Sequence, residues 1–234
     1  FGIFKIKTTG NLTDDLPKTG VLYKDIKFFE QNFTGVMPCE VLVDTKKKNG
    51  IMKISVMKKI EQLQLVLDSI PEFSRAVSIV DFTKYAKQTF YNGDTSFYTL
   101  PNSQEKNWIF SYASNWQDKK VLNENIFADS LKQIARISMR MADISTPKLD
   151  SIMDILQPKI DKIFDSEKYN VTVTGSSIVF LSGTKYLVQN LFTSLFLVII
   201  LIAIFMAWMF NSFRMVLVSL IPNLIPLLLT AAIM

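Results

Sequence analysis

Histidine is absent from this 234-residue chain, and cysteine occurs once, as Cys39. A His/Cys metal site and any histidine-based triad are thereby excluded within it. Cys39 has no second cysteine to pair with, so the fold must be held by packing without an internal disulfide. Glycine and proline are sparse, eight of each, so each one is informative as a stop, turn or bend. The chain contains no G-x-G-x-x-G, no Walker motif and no G-x-S-x-G. No catalytic centre, metal or cofactor is expected, and the chain is read as a non-enzyme. Charge is missing altogether from Tyr186 to Phe213.

That uncharged end organises the rest. Leu195 to Phe210 is unbroken apolar sequence, and Leu191–Phe210 carries only Thr193 and Ser194 as polar side chains. Beyond Arg214 a second uncharged run extends from Met215 to Met234. Each run is about the twenty residues that cross a hydrocarbon core of ~30 Å as a helix. The pattern predicts a two-helix transmembrane hairpin within 183–234, with spans at about 187–210 and 214–234. The turn between them is Asn211-Ser212-Phe213-Arg214. Arg214 is its single charge, which places this turn in the cytoplasm by the positive-inside tendency.

Pro222 and Pro226 bracket Asn223 in the second span. A proline frees the carbonyl four residues back, so in lipid such a turn needs protein neighbours. Pro222, Asn223 and Pro226 are therefore a candidate packed bend that couples membrane movements to the outer domain. A static kink is the plain alternative. At the other end, Phe1, Ile3, Phe4 and Ile6, with Lys5 and Lys7, resemble the exit of an earlier span over residues 1–10. The opening on Phe and the stop inside an apolar run are expected of a fragment of a longer protein.

Between these ends lies a mixed polar stretch, residues 11–182. Of the 26 basic residues only Lys185 and Arg214 lie beyond Thr184, leaving 24 against 21 acidic, a net +3. That is a solvated surface and not a nucleic-acid footprint. Leu22, Ile26, Phe29 and Phe33 repeat at helical spacing, with Thr19 as the expected N-cap. Val41 and Val43 alternate with Glu40 and Asp44 in a strand over 40–45. Lys46-Lys47-Lys48-Asn49-Gly50 is a turn. A helix is predicted over 53–70, a short apolar strand over 76–80, and a half-buried strand over 133–142. Thr146-Pro147 opens a helix over 147–165, with Pro at its first position and Pro158 expected to kink it or loosen one turn. Tyr169 to Thr174 alternates as a last strand, ended by Gly175.

Residues 81–117 differ in texture. Helices are predicted there over Phe82–Phe90 and Ser103–Trp116. The aromatics Tyr98, Trp108, Tyr112 and Trp116 are candidate contacts for an amphipathic substrate; a small satellite core is the plainer reading. With this helical insert set aside, the order is βαβ–βαβ. The predicted class is α+β, a ferredoxin-like split βαβ sandwich followed by the transmembrane hairpin.

Asn211-Ser-Phe-Arg-Met followed by Ser219-Leu-Ile-Pro-Asn-Leu-Ile-Pro-Leu-Leu resembles the second-to-third helix hairpin of one repeat of the resistance–nodulation–division (RND) superfamily. The closest group is the MMPL-like exporters, related to Patched and sterol-sensing proteins. Phe33-Thr-Gly-Val-Met-Pro, Glu40-Val-Leu-Val-Asp-Thr, Val173-Thr-Gly and Tyr186-Leu-Val resemble the start and end of their outer porter domain. The resemblance implies a multi-pass protein of the plasma (inner) membrane with residues 11–182 extracytoplasmic, exporting lipids or other hydrophobic compounds on the proton gradient. It implies membrane lipids, a hydrophobic substrate, the remaining helices and a second porter domain as partners, with self-association left open and no nucleic acid. The acidic proton-relay residues of such a protein would lie outside this chain. A non-transporting member, serving lipid sensing or protein translocation, is the alternative.

Overall fold

In a computed structural model of the chain, residues 11, 13, 16–114, 126–210, 214, 218, 221, 222, 225 and 226 are described. The chain divides into two compact units, Asn11–Phe180 and Leu181–Met234 with Phe1–Gly10.

The first unit is a three-stranded antiparallel sheet with helices. Strand β1 (Met37–Asp44) is central, between β2 (Ile134–Met141) and β3 (Asn170–Thr174). The β1–β2 register sets Met37 opposite Met141 and Asp44 opposite Ile134, and β3 pairs Glu40 with Thr174. Period-two alternation buries Met37, Cys39, Val41 and Val43 together with Ala135, Ile137, Met139 and Met141. Against this face lie α2 (Ile54–Asp68) and α5 (Thr146–Ile163), which also pack on each other. Their buried stripes are Val56, Ile60, Leu63 and Leu67 on α2, and Leu149, Ile152, Leu156 and Ile160 on α5. Each stripe recurs at three and four residues, as one helix face requires.

Close backbone packing fixes the start of the sheet's central strand against both of its neighbours. Gly35 has φ +122°, and a Cβ there would lie 2.4 Å from the Met141 carbonyl carbon. Gly175, at φ +120°, would meet the Pro38 oxygen at 2.7 Å. Only glycine takes such angles without strain and allows such approach. Ser177 then donates its hydroxyl to the same Pro38 carbonyl at 2.9 Å.

The strand expected over 76–80 is not formed. Val77 pairs with Ser138 and Phe73 with Met141 only as isolated bridges, and Ile79 and Val80 open helix α3 (Ile79–Phe90). The cause is a capping box. The Ser78 hydroxyl accepts from the Val80 N–H at 3.0 Å, and the Asp81 carboxylate accepts from the Ser78 N–H at 3.0 Å. These bonds satisfy helix-end donors that a strand would direct elsewhere. The buried Gln64 amide reinforces the turn, donating to the Ala76 carbonyl at 2.9 Å and accepting from Ser78 at 3.0 Å. The helix expected from Phe82 thus starts three residues earlier.

Helix α4 spans Glu105–Ser114, inside the expected Ser103–Trp116. Asn102 caps it, accepting from the Gln104 and Glu105 N–H groups at 2.9 and 2.7 Å. Helix α1 (Val21–Phe33) forms as its spacing predicts, but its N-cap is Gly20, without a side-chain bond, in place of Thr19. None of its residues is buried. In α5 the N-cap is Ser145, so Pro147 sits at the second helical position. The helix runs unbroken through Pro158, which lies on the exposed face with Asp154, where water can meet the freed carbonyl.

The second unit contains most of α6 (Ser176–Phe210), 35 residues. Its Ser176–Met209 portion is long and apolar enough to cross a membrane. At ~1.5 Å per residue it is about 52 Å long, more than the ~30 Å core needs, and its charge-free part begins at Tyr186. The second span expected over 214–234 falls largely outside the described residues.

Candidate functional site

The aromatic segment folds into a small cluster on α3 and α4. Tyr91 stacks on Phe97 with ring centroids 4.0 Å apart, and Phe90 meets Tyr112 edge-on at 5.4 Å. Ile109 is buried beneath them. Tyr98 donates its hydroxyl to Asp81 at 3.2 Å. Burial first, and then the Asp81 charge, holds its phenol above the ordinary range. Trp108 is 72% exposed and, with Phe90, Tyr91 and Glu105, lines a hollow of about 170 Å³. Trp116 lies outside the described residues. Of the four aromatics expected at a substrate surface, Tyr98 and Tyr112 are engaged within the cluster and Trp108 faces outward.

The one acid among the described residues of this hollow is structural. Glu105 accepts from the Asn102 N–H at 3.0 Å, from Lys87 at 3.0 Å and from the Tyr91 hydroxyl at 3.2 Å. The Asn102 N–H, and then Lys87, hold its carboxyl below the usual range. No group of three or more metal-ligating side chains occurs among the described residues. Burial pushes the Cys39 thiol up to about 12, so it is inert as a nucleophile at neutral pH.

A larger site lies on the sheet face away from α2 and α5. An open hollow of about 540 Å³ is lined by Glu40, Ser138 and Arg140 of the sheet and by Phe33, Val77 and Phe127 around it. Arg75 also lines it. Its guanidinium reaches Asp81 at 3.4 Å with the side chain 70% exposed. Arg136, beside the hollow, sits 3.5 Å from Glu40 through Nη1. Its Nε is buried and has no acceptor among the described residues. The Arg140 backbone N–H donates to Ser74 Oγ at 2.8 Å, and its guanidinium forms no bond among the described residues.

Sequence reasoning finds Arg136 and Arg140 as the polar side of β2 and leaves Arg75 and Phe127 unremarked. The signal present is three arginines on or beside segments rich in apolar residues. Joining them needs the β1–β2 register and the Phe127 and Val77 backbone contacts, which no local pattern carries.

Within α6, Ile202, Phe205, Met206, Trp208 and Met209 border an apolar hollow of about 580 Å³. Arg214, Pro222 and Pro226 are helical and exposed. Asn211 and Asn223, the other members of the expected turn and bend, lie outside the described residues. We found no protein-family model that matches the chain and no characterised protein significantly similar to it.

Proposed function

We propose that this chain is the outer porter domain and first transmembrane hairpin of an RND-type, MMPL-like exporter of lipids or other hydrophobic compounds. The observation that carries the reading is the order of parts. An antiparallel sheet with two packed helices on one face is followed within two residues of its last strand by an apolar span. The split βαβ plan is supported by the lateral order β3-β1-β2 with the 73–77 segment bridged to the outer side of β2. In this reading that segment is the fourth strand, reduced to two bridges by the Ser78 cap. The protein is multi-pass in the plasma (inner) membrane, with 11–182 extracytoplasmic and the Asn211–Arg214 turn cytoplasmic. Pro222, Asn223 and Pro226 form a bend that helps link membrane movement to the porter domain.

The test uses the full-length protein in cells. Cells that make it should accumulate less of a fluorescent amphiphile than cells without it, and a protonophore should remove the difference. Equal accumulation with the protein present in the membrane would favour a lipid-sensing or translocation-accessory role instead. Orientation is read separately. Asn92→Cys should react with a membrane-impermeant thiol reagent and Asn211→Cys should not, against a low background because Cys39 is fully buried. The opposite labelling pattern would overturn the assignment of sides.

A further inference from the structure

We infer that the open sheet face is a binding site for a single-chain anionic amphiphile, a long-chain fatty acid, with its carboxylate on Arg140 and Arg75 and its chain along Phe33 and Phe29.

Charge sets the head group. Among the described lining residues Arg75 and Arg140 stand against one carboxylate, Glu40, which Arg136 already faces at 3.5 Å; Arg75 also reaches Asp81 at 3.4 Å, with its side chain 70% exposed. The Arg140 guanidinium forms no bond among the described residues, and the Arg136 Nε is a buried donor without an acceptor among them. A guanidinium fork matches a carboxylate with two parallel hydrogen bonds. The space, about 540 Å³, is within the range of small-ligand sites.

Apolar continuity sets the tail. Phe33, 51% exposed, lines the hollow. It lies 5.4 Å from Phe29, which meets Phe28 at 5.9 Å. This strip leads from the hollow onto α1, the helix with no buried residue. Exposed aromatic rings in a row, beside paired cations, suit a molecule that is apolar along its length and charged at one end. An added peptide strand fits less well. The outward N–H groups of β2 are already bonded, Ser138 to Val77, Arg136 to Phe127 and Ala142 to Glu72. A peptide would find no free edge on β2, the border beside this hollow, to extend.

This inference names a substrate class for the proposed exporter domain, and it rests on the exporter reading only for the transport step after binding. The experiment places the full chain in nanodiscs of phosphatidylcholine and adds palmitate carrying a tail diazirine, or the matching hexadecanol. After irradiation, palmitate should mark peptides containing Phe29–Phe33 or Phe127. The doubly substituted Arg75→Gln/Arg140→Gln protein should lose about tenfold of that labelling, the scale of one charge-assisted hydrogen bond, while hexadecanol labelling is weak and unchanged. Phe33→Ala, a surface change that leaves the fold intact, should also lower palmitate labelling. Equal labelling by acid and alcohol, labelling confined to 191–210, or indifference to the arginine changes would each overturn the proposal. Loss of this site with dye export intact leaves the exporter reading standing; loss of export with palmitate labelling intact does the reverse.

Discussion

Asp143 holds Thr13 by two hydrogen bonds to one oxygen: Oδ2 accepts from the Thr13 backbone N–H at 3.0 Å and from the Thr13 hydroxyl. The residues are 130 apart in sequence, and Thr13 is buried. The Asp143 N–H in turn donates to Glu30 at 3.0 Å, and Glu30 pairs with Lys27 at 2.6 Å. Asp143 thus joins the polar stretch before α1 through its carboxylate, and α1 through its backbone N–H, to the β2–α5 junction.

Asp143→Ala leaves the Thr13 N–H buried without an acceptor. Such a group costs about 1–3 kcal/mol. Thermal unfolding of the full chain in detergent should show a lower midpoint for Asp143→Ala. Asp143→Asn keeps one acceptor oxygen and should lose less. Equal midpoints for the alanine variant and the parent would show that the clamp contributes nothing to stability.

Neighbouring positions on α5 give a second contrast. Leu156 is fully buried and Ile155 is 58% exposed. Leu156→Ala removes core methylenes and leaves a cavity, at a cost of about 2–5 kcal/mol. Ile155→Ala should stay within about 0.5 kcal/mol. Ile152→Asp, which puts a charge into the same buried stripe, should abolish folding. Denaturant melts monitored by circular dichroism read all three, and a well-folded Ile152→Asp protein would mean the buried face is misassigned.

Glu105 makes stability depend on pH. The Asn102 N–H and Lys87 favour its ionised form, so its folded value lies below the ordinary one. The folded chain then binds fewer protons at this site than the unfolded chain. The contribution is full above the unfolded value, about 4.3, and is lost as pH falls through the folded value. Parent and Glu105→Gln should therefore differ in melting temperature at pH 6 and converge as pH drops below about 4. A gap that stays constant through that range would show that the charge is not what matters there.

Local periodicity accounts for much of the fold. The α5 stripe, the alternation of β2 from Ala135 to Met141, and the glycine stop at Gly175 are all legible because each is written within a few residues. The 76–80 segment misleads because its apolar residues suit a strand equally well. The decisive term is Ser78 with Asp81, three residues apart, together with Gln64 from α2. The amphipathic face of α1 is legible as a helix, but its exposure is not, since burial depends on the surfaces that other segments supply. The hollow on the open sheet face is hidden for the same reason. Its arginines come from two separated segments, and its apolar wall adds residues from α1 and from the stretch before β2.

The outer side of β2 carries a further consequence, for copies of this protein crowded together. A sheet edge with free amide groups recruits strands from its neighbours and invites swapping or aggregation. Along β2 the N–H groups of Arg136, Ser138, Arg140 and Ala142 are taken by Phe127, Val77, Ser74 and Glu72 in turn. A patchwork of unrelated loop residues seals that border as fully as a strand would, yet offers no continuous ladder of its own for another chain to copy. The opposite border, β3, is only five residues long. The domain can therefore sit at high local density with little tendency to grow its sheet into the next molecule.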